Sequence, residues 1–147
     1  MRLTRFTDYS LRALVYLGHN TDDRVTIHEI SEVYDISKNH LMKVISNLTR
    51  MGVVVARRGP GGGIRLNRAA EDISLGEIIS NTEKHLQDPD NAGLPRNDAP
   101  LSNSRLHGCL QQALQAYLDV LARFTLADIL DHEEDVADIL EVGEKAA

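Results

Sequence analysis

The sequence predicts a mainly α-helical fold that carries one small β-hairpin. Apolar residues recur at spacings of three and four over most of the chain, which is typical of helices. One short stretch is instead rich in β-branched residues and glycine. Hydrophobic residues make up 42% of the 147 residues, whereas aromatic residues make up only 4%. We therefore expect one compact domain with an appended helix, packed from Leu, Ile, Val and Ala.

Three helices are predicted in the first half of the chain. The first covers residues 4–18, and the second begins at Thr26, where Glu29 completes a capping box. Ser37 can cap a third helix of about 15 residues that ends near Gly52. The predicted buried faces of the second and third helices are Ile27, Ile30 and Val33, and Leu41, Val44, Ile45, Leu48 and Met51. Two such helices joined by a short connection indicate a helix-turn-helix.

A hairpin is predicted directly after these helices. Residues 53–56, three valines and an alanine, predict a strand, and residues 64–67 resume the alternation of a second strand. Residues 57–63 between them hold four glycines and a proline, which excludes the interior of a strand or helix. A helix-turn-helix followed by a hairpin is the plan of a winged helix. We therefore assign residues 1–70 to a winged helix-turn-helix domain and residues 71–147 to a helical region.

The helical region begins with another capping-box pattern. Ser74 and Glu77 have the required spacing, and they predict a short helix that continues to about Lys84. Residues 86–101 contain three prolines together with Asp, Asn and Gly. We expect this segment to be a loop.

A long helix is predicted over residues 102–124, and Thr125 can cap a short tail helix after it. An apolar stripe follows this long helix for several turns. Its main members are Leu106, Leu110, Leu114, Tyr117, Leu121 and Phe124. Because a small winged domain has little room to bury such a stripe, we expect a second copy of the chain to cover it. The alternative is that the helix packs back on its own domain.

Charge is distributed unevenly along the chain. The net charge is −6, which by itself argues against a nucleic-acid binder. Residues 1–68 nevertheless hold 11 Lys and Arg against 6 Asp and Glu, whereas residues 69–147 hold 5 against 16. This asymmetry suggests that the first half meets an anion, although an acidic solvated tail on a neutral globule would give the same count.

The predicted third helix has a polar face that could read DNA. The exposed positions are expected to be Asn39, His40, Lys43, Asn47 and Arg50. The major groove admits one helix, whose first turn usually contacts the bases. Lys38 follows the cap, where backbone N–H groups and the helix dipole favour a phosphate. An ordinary solvated helix face is the alternative.

The predicted hairpin tip favours the DNA interpretation. Arg57 and Arg58 precede Gly59, Pro60 and Gly61, and glycines leave nothing to obstruct close approach. A narrow minor groove attracts inserted arginine. A nucleotide-binding glycine loop would need a following helix with Lys-Ser or Lys-Thr, which is not present after this loop.

Four segments resemble the IscR/NsrR family of bacterial regulators: LTRFTDYSLRAL at 3–14, ISKNHL at 36–41, RGPGGG at 58–63 and TLADIL at 125–130. The two ends are most similar to the nitric-oxide-sensing NsrR branch. The resemblance implies a homodimer that binds a roughly palindromic operator and usually represses. Carried over by position, the recognition-helix roles belong to Asn39, His40 and Lys43, and the minor-groove arginine is Arg58.

The resemblance fails at the site of the family's cofactor. Many members hold an iron–sulfur cluster with three cysteines before the long helix, and NsrR-like members add an aspartate that matches Asp8. Here Ser104 stands where the last cysteine is expected, and no cysteine occurs in 86–104. Thiolate is the usual cluster ligand, so an ordinary three-cysteine cluster cannot form and we expect no cofactor. The alternative is a non-standard cluster or redox site that uses Asp8, His107 and Cys109.

Other classes of protein are less well supported. Cys109 is the single cysteine, which excludes an internal disulfide and fits a buried apolar residue better than a reactive thiol. No nucleophile–base pair or catalytic glycine motif indicates an enzyme. A protein-interaction module built on the acidic half would leave the basic hairpin unexplained. The start of the chain has no signal-peptide apolar region and no apolar run could span a bilayer, so we expect a cytoplasmic protein.

Overall fold

A computed structural model describes residues 3–21, 24–86 and 105–132. The helices are α1 Arg5–His19, α2 Ile27–Tyr34, α3 Lys38–Arg50, α4 Leu75–Thr82, α5 Arg105–Leu121 and α6 Leu126–Leu130, and the strands are β1 Val54–Arg57 and β2 Gly63–Leu66. Single 3-10 turns cover Ala70–Asp72 and Lys84–Leu86. This architecture confirms the predicted fold class. Most of the predicted loop 86–101 and the predicted start of the long helix at 102–104 lie outside the described residues.

The chain divides into two compact units. The first contains the residues up to Ile73 together with those from Thr125 onward, and the second is Ser74–Phe124. The sequence-based division placed everything after residue 70 in one region, whereas the contacts group α6 with the winged helix.

Local capping sets the start of each helix in the helix-turn-helix. The Thr4 side chain accepts a hydrogen bond from the Thr7 backbone N–H at the start of α1. Thr26 and Glu29 form the predicted capping box at α2, and Ser37 caps α3 by accepting from the His40 N–H at 3.3 Å. These bonds satisfy backbone donors that have no partner inside the helix. Helices α1, α2 and α3 then pack around fully buried side chains, among them Leu14, Leu17, Ile30, Leu41 and Leu48.

The turn between α2 and α3 is short, as predicted, and is closed by a side chain. Asp35 adopts the left-handed conformation with φ 49°, which reverses the chain after Tyr34. The Ser31 hydroxyl donates to the Ile36 carbonyl at 2.7 Å, and the Ile36 N–H donates to the Ser31 carbonyl. Ile36 is thereby held in the core.

One predicted apolar position of α2 is wrong. Val33 is 46% exposed, whereas Tyr34 beside it is buried. The helix turns about 100° per residue, so only one of these neighbours can face the core. The aromatic ring of Tyr34 takes that place by meeting Tyr16 edge-on, with 6.2 Å between ring centroids.

The hairpin gains a third, very short strand that the sequence did not indicate. Strands β1 and β2 pair antiparallel, with Val54 opposite Leu66. Val25 forms an isolated antiparallel bridge with Ile64, and its carbonyl accepts from the Ile64 N–H at 2.7 Å. The segment before α2 is therefore tied to the outer strand of the wing.

Helix α6 belongs to the core of the first unit. Thr125 and Asp128 form a capping box that starts it, which confirms the predicted cap. The Leu126 N–H donates to the Ile73 carbonyl at 2.8 Å, and the Leu126 side chain is completely buried. Hydrogen bonds from Thr125 to the Asp128 carboxylate lower the pKa of that carboxyl group.

The second unit packs α4 against α5. The predicted Ser74–Glu77 capping box is wrong, since Ser74 precedes the helix but makes no side-chain cap bond. Its hydroxyl donates instead to the Ala122 carbonyl at 3.5 Å, because the end of α5 lies close enough to compete with the local backbone. Helix α4 also ends at Thr82 rather than near Lys84.

Candidate nucleic-acid interface

Helix α3 presents most of the predicted DNA-reading side chains to solvent. Lys38, Asn39, His40, Lys43 and Arg50 are all exposed. Because Ser37 caps the helix, the first three of these stand in its first turn. The His40 ring lies 6.2 Å from the Tyr9 ring of α1, measured between centroids, which steadies that side chain without burying it. The face can therefore approach a duplex without rearrangement of its backbone.

Asn47 does not lie on this face, and its predicted exposure is wrong. It is 9% exposed, and its side-chain carbonyl accepts from the Arg50 guanidinium while its amide approaches the Met51 sulfur. Position 47 follows Val44 by three residues and precedes Met51 by four, so it continues the buried stripe. Asn47 is thus largely enclosed by the helix packing, where it accepts a hydrogen bond from Arg50.

Three exposed residues of α3 were missed by the sequence analysis. Met42, Ser46 and Thr49 point towards the wing and line a cleft that Arg57 and Arg58 close on the other side. The available signal was helical spacing, because residues 42, 46 and 49 continue the face of Asn39 at steps of three and four. These residues were not singled out because a hydroxyl or thioether group indicates DNA binding less clearly than a charged group does.

The wing tip is a tight turn with a specific cause. The Gly62 N–H donates to the Gly59 carbonyl at 2.8 Å, with Pro60 and Gly61 at the two central positions. Gly61 has φ +79° and Gly59 has φ +93°. Proline followed by a residue of positive φ is typical of a type II turn. The backbone of the tip therefore favours glycine at positions 59 and 61, and Arg58 is exposed at its base.

The cations of α3 and the wing are electrostatically available. Within the described ranges, carboxylates lie within 4.0 Å of basic side chains in two pairs, Asp8 with Arg12 and Glu32 with His28. Neither pair involves α3 or the hairpin. A cleft bordered by the exposed arginines Arg57 and Arg58, without a carboxylate partner among the described residues, suits a polyanion that passes between helix and wing.

A model of the Rrf2 family, described as an iron-dependent transcriptional regulator, matches residues 3–132. The chain belongs to the Rrf2 family. Its relatives include the HTH-type transcriptional regulator NsrR of Bacillus licheniformis, 44% identical over 142 residues that cover 95% of this chain and 99% of that protein. NsrR of Bacillus subtilis is 42% identical over 146 residues, covering 98% and 100%.

The Rrf2 fold is also found among solved structures. The structure of T. potens IscR superposes with a TM-score of 0.70 at 26% sequence identity, covering 89% of this chain and 87% of that one. This Rrf2 chain is therefore a winged-helix, DNA-binding transcriptional regulator rather than an enzyme. None of the helices in the described part of the chain is long and apolar enough to cross a membrane.

The three predicted alternative metal ligands of this Rrf2 chain lie on two helices, Asp8 on α1 and His107 and Cys109 on α5. Asp8 is engaged with Arg12, whose Nε donates to both carboxylate oxygens at 3.1–3.2 Å. His107 is buried and Cys109 is exposed on α5, against the expectation of a buried thiol. Among the residues with described positions, no three His, Cys, Asp or Glu side chains are grouped as metal ligands.

An iron–sulfur cluster bound in the usual way does not fit these donors. The whole sequence supplies one thiol, whereas such clusters are held by several thiolates. The remaining donors are an ion-paired carboxylate and a histidine. The family's iron dependence therefore cannot be transferred to this chain through a three-cysteine site.

Helix α5 carries the stripe predicted to bind a second copy. Leu106 is 53% exposed and Phe124, just after the helix, is also exposed, whereas Leu110, Leu114, Tyr117 and Leu121 are half-buried. The exposed apolar surface is shifted slightly around the helix and includes Ala113, Ala116 and Val120. Among the described residues of α5 only His107 is buried.

Proposed function

We propose that this Rrf2 chain is a homodimeric repressor that binds a pseudo-palindromic operator, with α3 in the major groove and the wing tip in the adjacent minor groove. The observation that carries the proposal is the cleft between α3 and the wing, flanked by exposed Arg57 and Arg58. A helix and a hairpin set side by side match two neighbouring grooves, and the phosphate backbone between those grooves would run along the cleft.

Base recognition is assigned to the first turns of α3. Asn39, His40 and Lys43 present donors and acceptors of the kind that read base edges, and Lys38 stands where it can meet a phosphate. Arg58 is the wing arginine for the minor groove, where negative potential is strongest in narrow segments. Repression follows if the bound dimer covers a promoter. The relatives named HTH-type transcriptional regulator NsrR support DNA binding through a helix-turn-helix.

Operator affinity of an Arg58→Ala variant tests the wing assignment. We expect binding to weaken about tenfold or more, since a charge-assisted contact is lost. Arg123→Ala is the matched control, because Arg123 is an exposed arginine of the second unit. A gel shift on an operator selected in vitro measures both variants. Equal affinity of Arg58→Ala and the unaltered chain would refute the wing assignment.

The homodimer is proposed from the exposed face of α5. Leu106, Ala113, Val120 and the intervening Ala116 recur at steps of seven, three and four, which is the spacing of paired helices. Small residues in the middle of this face allow two helix backbones to approach closely.

A charge placed on this α5 face tests the dimer. Val120→Glu should shift the chain towards monomer in sedimentation velocity, because burying an unpaired carboxylate is costly. Gln111→Glu adds the same charge half a turn around the helix from Val120, since nine residues rotate it by about 180°, and should leave the dimer intact. A monomeric unaltered chain, or a dimer unaffected by Val120→Glu, would contradict the proposed interface.

We also propose that DNA binding needs no iron–sulfur cluster. The support is the single thiol and the ion pair that already occupies Asp8. Anaerobically purified protein should show a featureless absorption spectrum above 300 nm, and Cys109→Ala should bind the operator as tightly as the unaltered chain. A visible absorption band that disappears in Cys109→Ala would favour the non-standard site of Asp8, His107 and Cys109.

A further inference from the structure

A small cavity lined by arginines lies on the wing, and it shares Arg57, Gly63 and Ile64 with the cleft that faces α3. It is lined by Arg24, Arg57 and Arg65 together with Val55, Gly61, Gly63 and Ile64. Its volume is about 180 Å³, which is below the roughly 300 Å³ at which pockets for small organic ligands begin. A single phosphate group, rather than a nucleotide, is the size of ligand that fits it.

Strand register explains why two of the arginines meet there. Arg57 is paired with Gly63, and Arg65 is paired with Val55 two positions along. Directly paired residues of an antiparallel hairpin project from the same face, so Arg57 and Arg65 share one face. Ile64 between them projects from the opposite face and is buried.

Arg24 joins this face from a different part of the chain. The bridge from Val25 to Ile64 places the preceding residue alongside β2. A Cβ added at Gly63 would lie 3.3 Å from the Arg24 Cβ, and one added at Gly61 would lie 2.7 Å from Arg24 Nη1. The guanidinium of Arg24 therefore occupies the space that the glycines of the wing tip leave open.

We infer that Arg24, Arg57 and Arg65 form a binding site for a phosphate group of the DNA backbone, beside the groove that the wing tip enters. This inference rests on the proposed function. Three exposed arginines line this one cavity, and no carboxylate of the described residues lies within 4.0 Å of their side chains. Asp22 and Asp23, which precede Arg24, lie outside the described residues. Guanidinium groups bind phosphate oxygens through paired N–H donors.

The site assigns a second role to the glycines of the wing. Gly61 supplies the positive φ that the turn requires, and its lack of a side chain leaves room for Arg24 to lie against the tip. Arg24 would thereby link the position of the tip to a backbone contact outside the cleft. Contacts of this kind position a protein on DNA and do not discriminate between sequences.

The salt dependence of DNA binding tests this contact. Arg24→Ala should weaken operator and unrelated DNA by a similar factor of about ten. It should also lower the slope of log affinity against log salt by about one, so that the loss is roughly threefold larger at 50 mM than at 200 mM salt. Arg123→Ala, an exposed arginine in the second unit, should change neither quantity.

The contact between the Arg24 side chain and Gly61 can be tested separately, with Gly59 as the matched glycine. Gly59→Ala and Gly61→Ala both place a side chain at positive φ, but only the latter meets Arg24, since nothing lies within 4 Å of a Cβ at Gly59. We expect Gly61→Ala to weaken DNA binding more than Gly59→Ala does. This difference should disappear when both are made in an Arg24→Ala background.

The outcomes separate this inference from the proposed function. If the unaltered chain binds no DNA, the proposed function fails. If it binds DNA and Arg24→Ala leaves both affinity and salt slope unchanged while circular dichroism shows a folded chain, the phosphate site is wrong and the proposed function stands. A third outcome would instead assign the site to a free ion. In that case inorganic phosphate binds the free protein with a Kd below about 1 mM, and Arg24→Ala abolishes this binding without changing operator affinity.

Discussion

The buried side chain of Tyr34 makes the stability of the first unit depend on pH. Its ring ends α2 in the core and contacts Tyr16, while the Arg12 guanidinium lies 5.6 Å from the ring centroid. Burial raises the pKa of the Tyr34 phenol to about 12, although Arg12 acts in the opposite direction. Its hydroxyl has no hydrogen-bond partner among the described residues.

The raised pKa predicts a loss of stability at alkaline pH. Unfolded chains release the phenol proton near pH 10, whereas the folded chain keeps it to about pH 12, so the unfolded state binds fewer protons between these values. The free energy of unfolding should therefore fall with pH in this window, and Tyr34→Phe should remove that part of the decline. Urea denaturation of both chains at about pH 9, 10 and 11 measures how the free energy of unfolding falls with pH.

The neutral-pH stability of Tyr34→Phe provides the control. Because the lost hydroxyl is unpaired, the variant should be as stable as the unaltered chain at pH 7 or slightly more stable. Identical alkaline decline in both chains would show that Tyr34 does not titrate as described.

Asn47 shows where reasoning at single residues succeeds and fails. The polar character of Asn47 suggested a DNA-reading role, yet its helical position places it with Val44 and Leu48. The helical position of Asn47, and not its polar character, therefore determines its burial. Ser46 lies on the exposed face instead. Lys43 and Arg50 were placed correctly because long charged side chains are rarely buried.

At the scale of elements, α4 and α5 approach each other through a glycine. A Cβ added at Gly76 would lie 2.8 Å from the Ala122 backbone nitrogen and 2.9 Å from its Cα. Backbone atoms cannot move aside as a flexible side chain can, so this contact requires glycine at residue 76.

Gly76→Ala should therefore destabilise the chain by about 1–3 kcal/mol, since the two helices must separate. Gly108→Ala on α5 is the matched control, because nothing lies within 4 Å of an added Cβ there. It should stabilise the helix by up to about 1 kcal/mol. Thermal denaturation at one fixed protein concentration compares the two, and equal effects of the same sign would contradict the described packing.

Capping patterns show how far elements follow from sequence. The Thr26–Glu29 box and the Thr125 cap form as predicted because both partners lie within one helical turn. The Ser74–Glu77 pattern fails because a carbonyl 48 residues away accepts from Ser74 instead. The bridge between Val25 and Ile64 also depends on residues far apart in the chain. It was not predicted because a single paired residue leaves no alternating pattern in the sequence.

At the scale of the whole molecule, the chain returns to its first unit after α5. Leu126 inserts a completely buried side chain there, and Leu130 packs over Gly18 of α1. The winged helix therefore includes residues that lie more than 50 positions after the wing. Sequence patterns predicted the tail helix but not its position, which depends on a tertiary contact with Ile73.

Leu126→Ala should destabilise the chain by about 2–5 kcal/mol, because a large buried side chain is replaced by a cavity. Val33→Ala provides a comparison within the same unit and should cost below about 1 kcal/mol, since Val33 is largely exposed. Chemical denaturation of both variants measures the difference. A loss for Leu126→Ala no greater than that for Val33→Ala would show that α6 does not complete the core.

The most direct test of the DNA interface is the structure of this chain bound to an operator duplex selected in vitro. We expect Asn39, His40 and Lys43 to face base edges in the major groove and Arg58 to enter the neighbouring minor groove. Arg24, Arg57 and Arg65 would then meet a backbone phosphate beside the groove that the wing tip enters. A complex in which the duplex contacts neither α3 nor the wing tip would contradict the account.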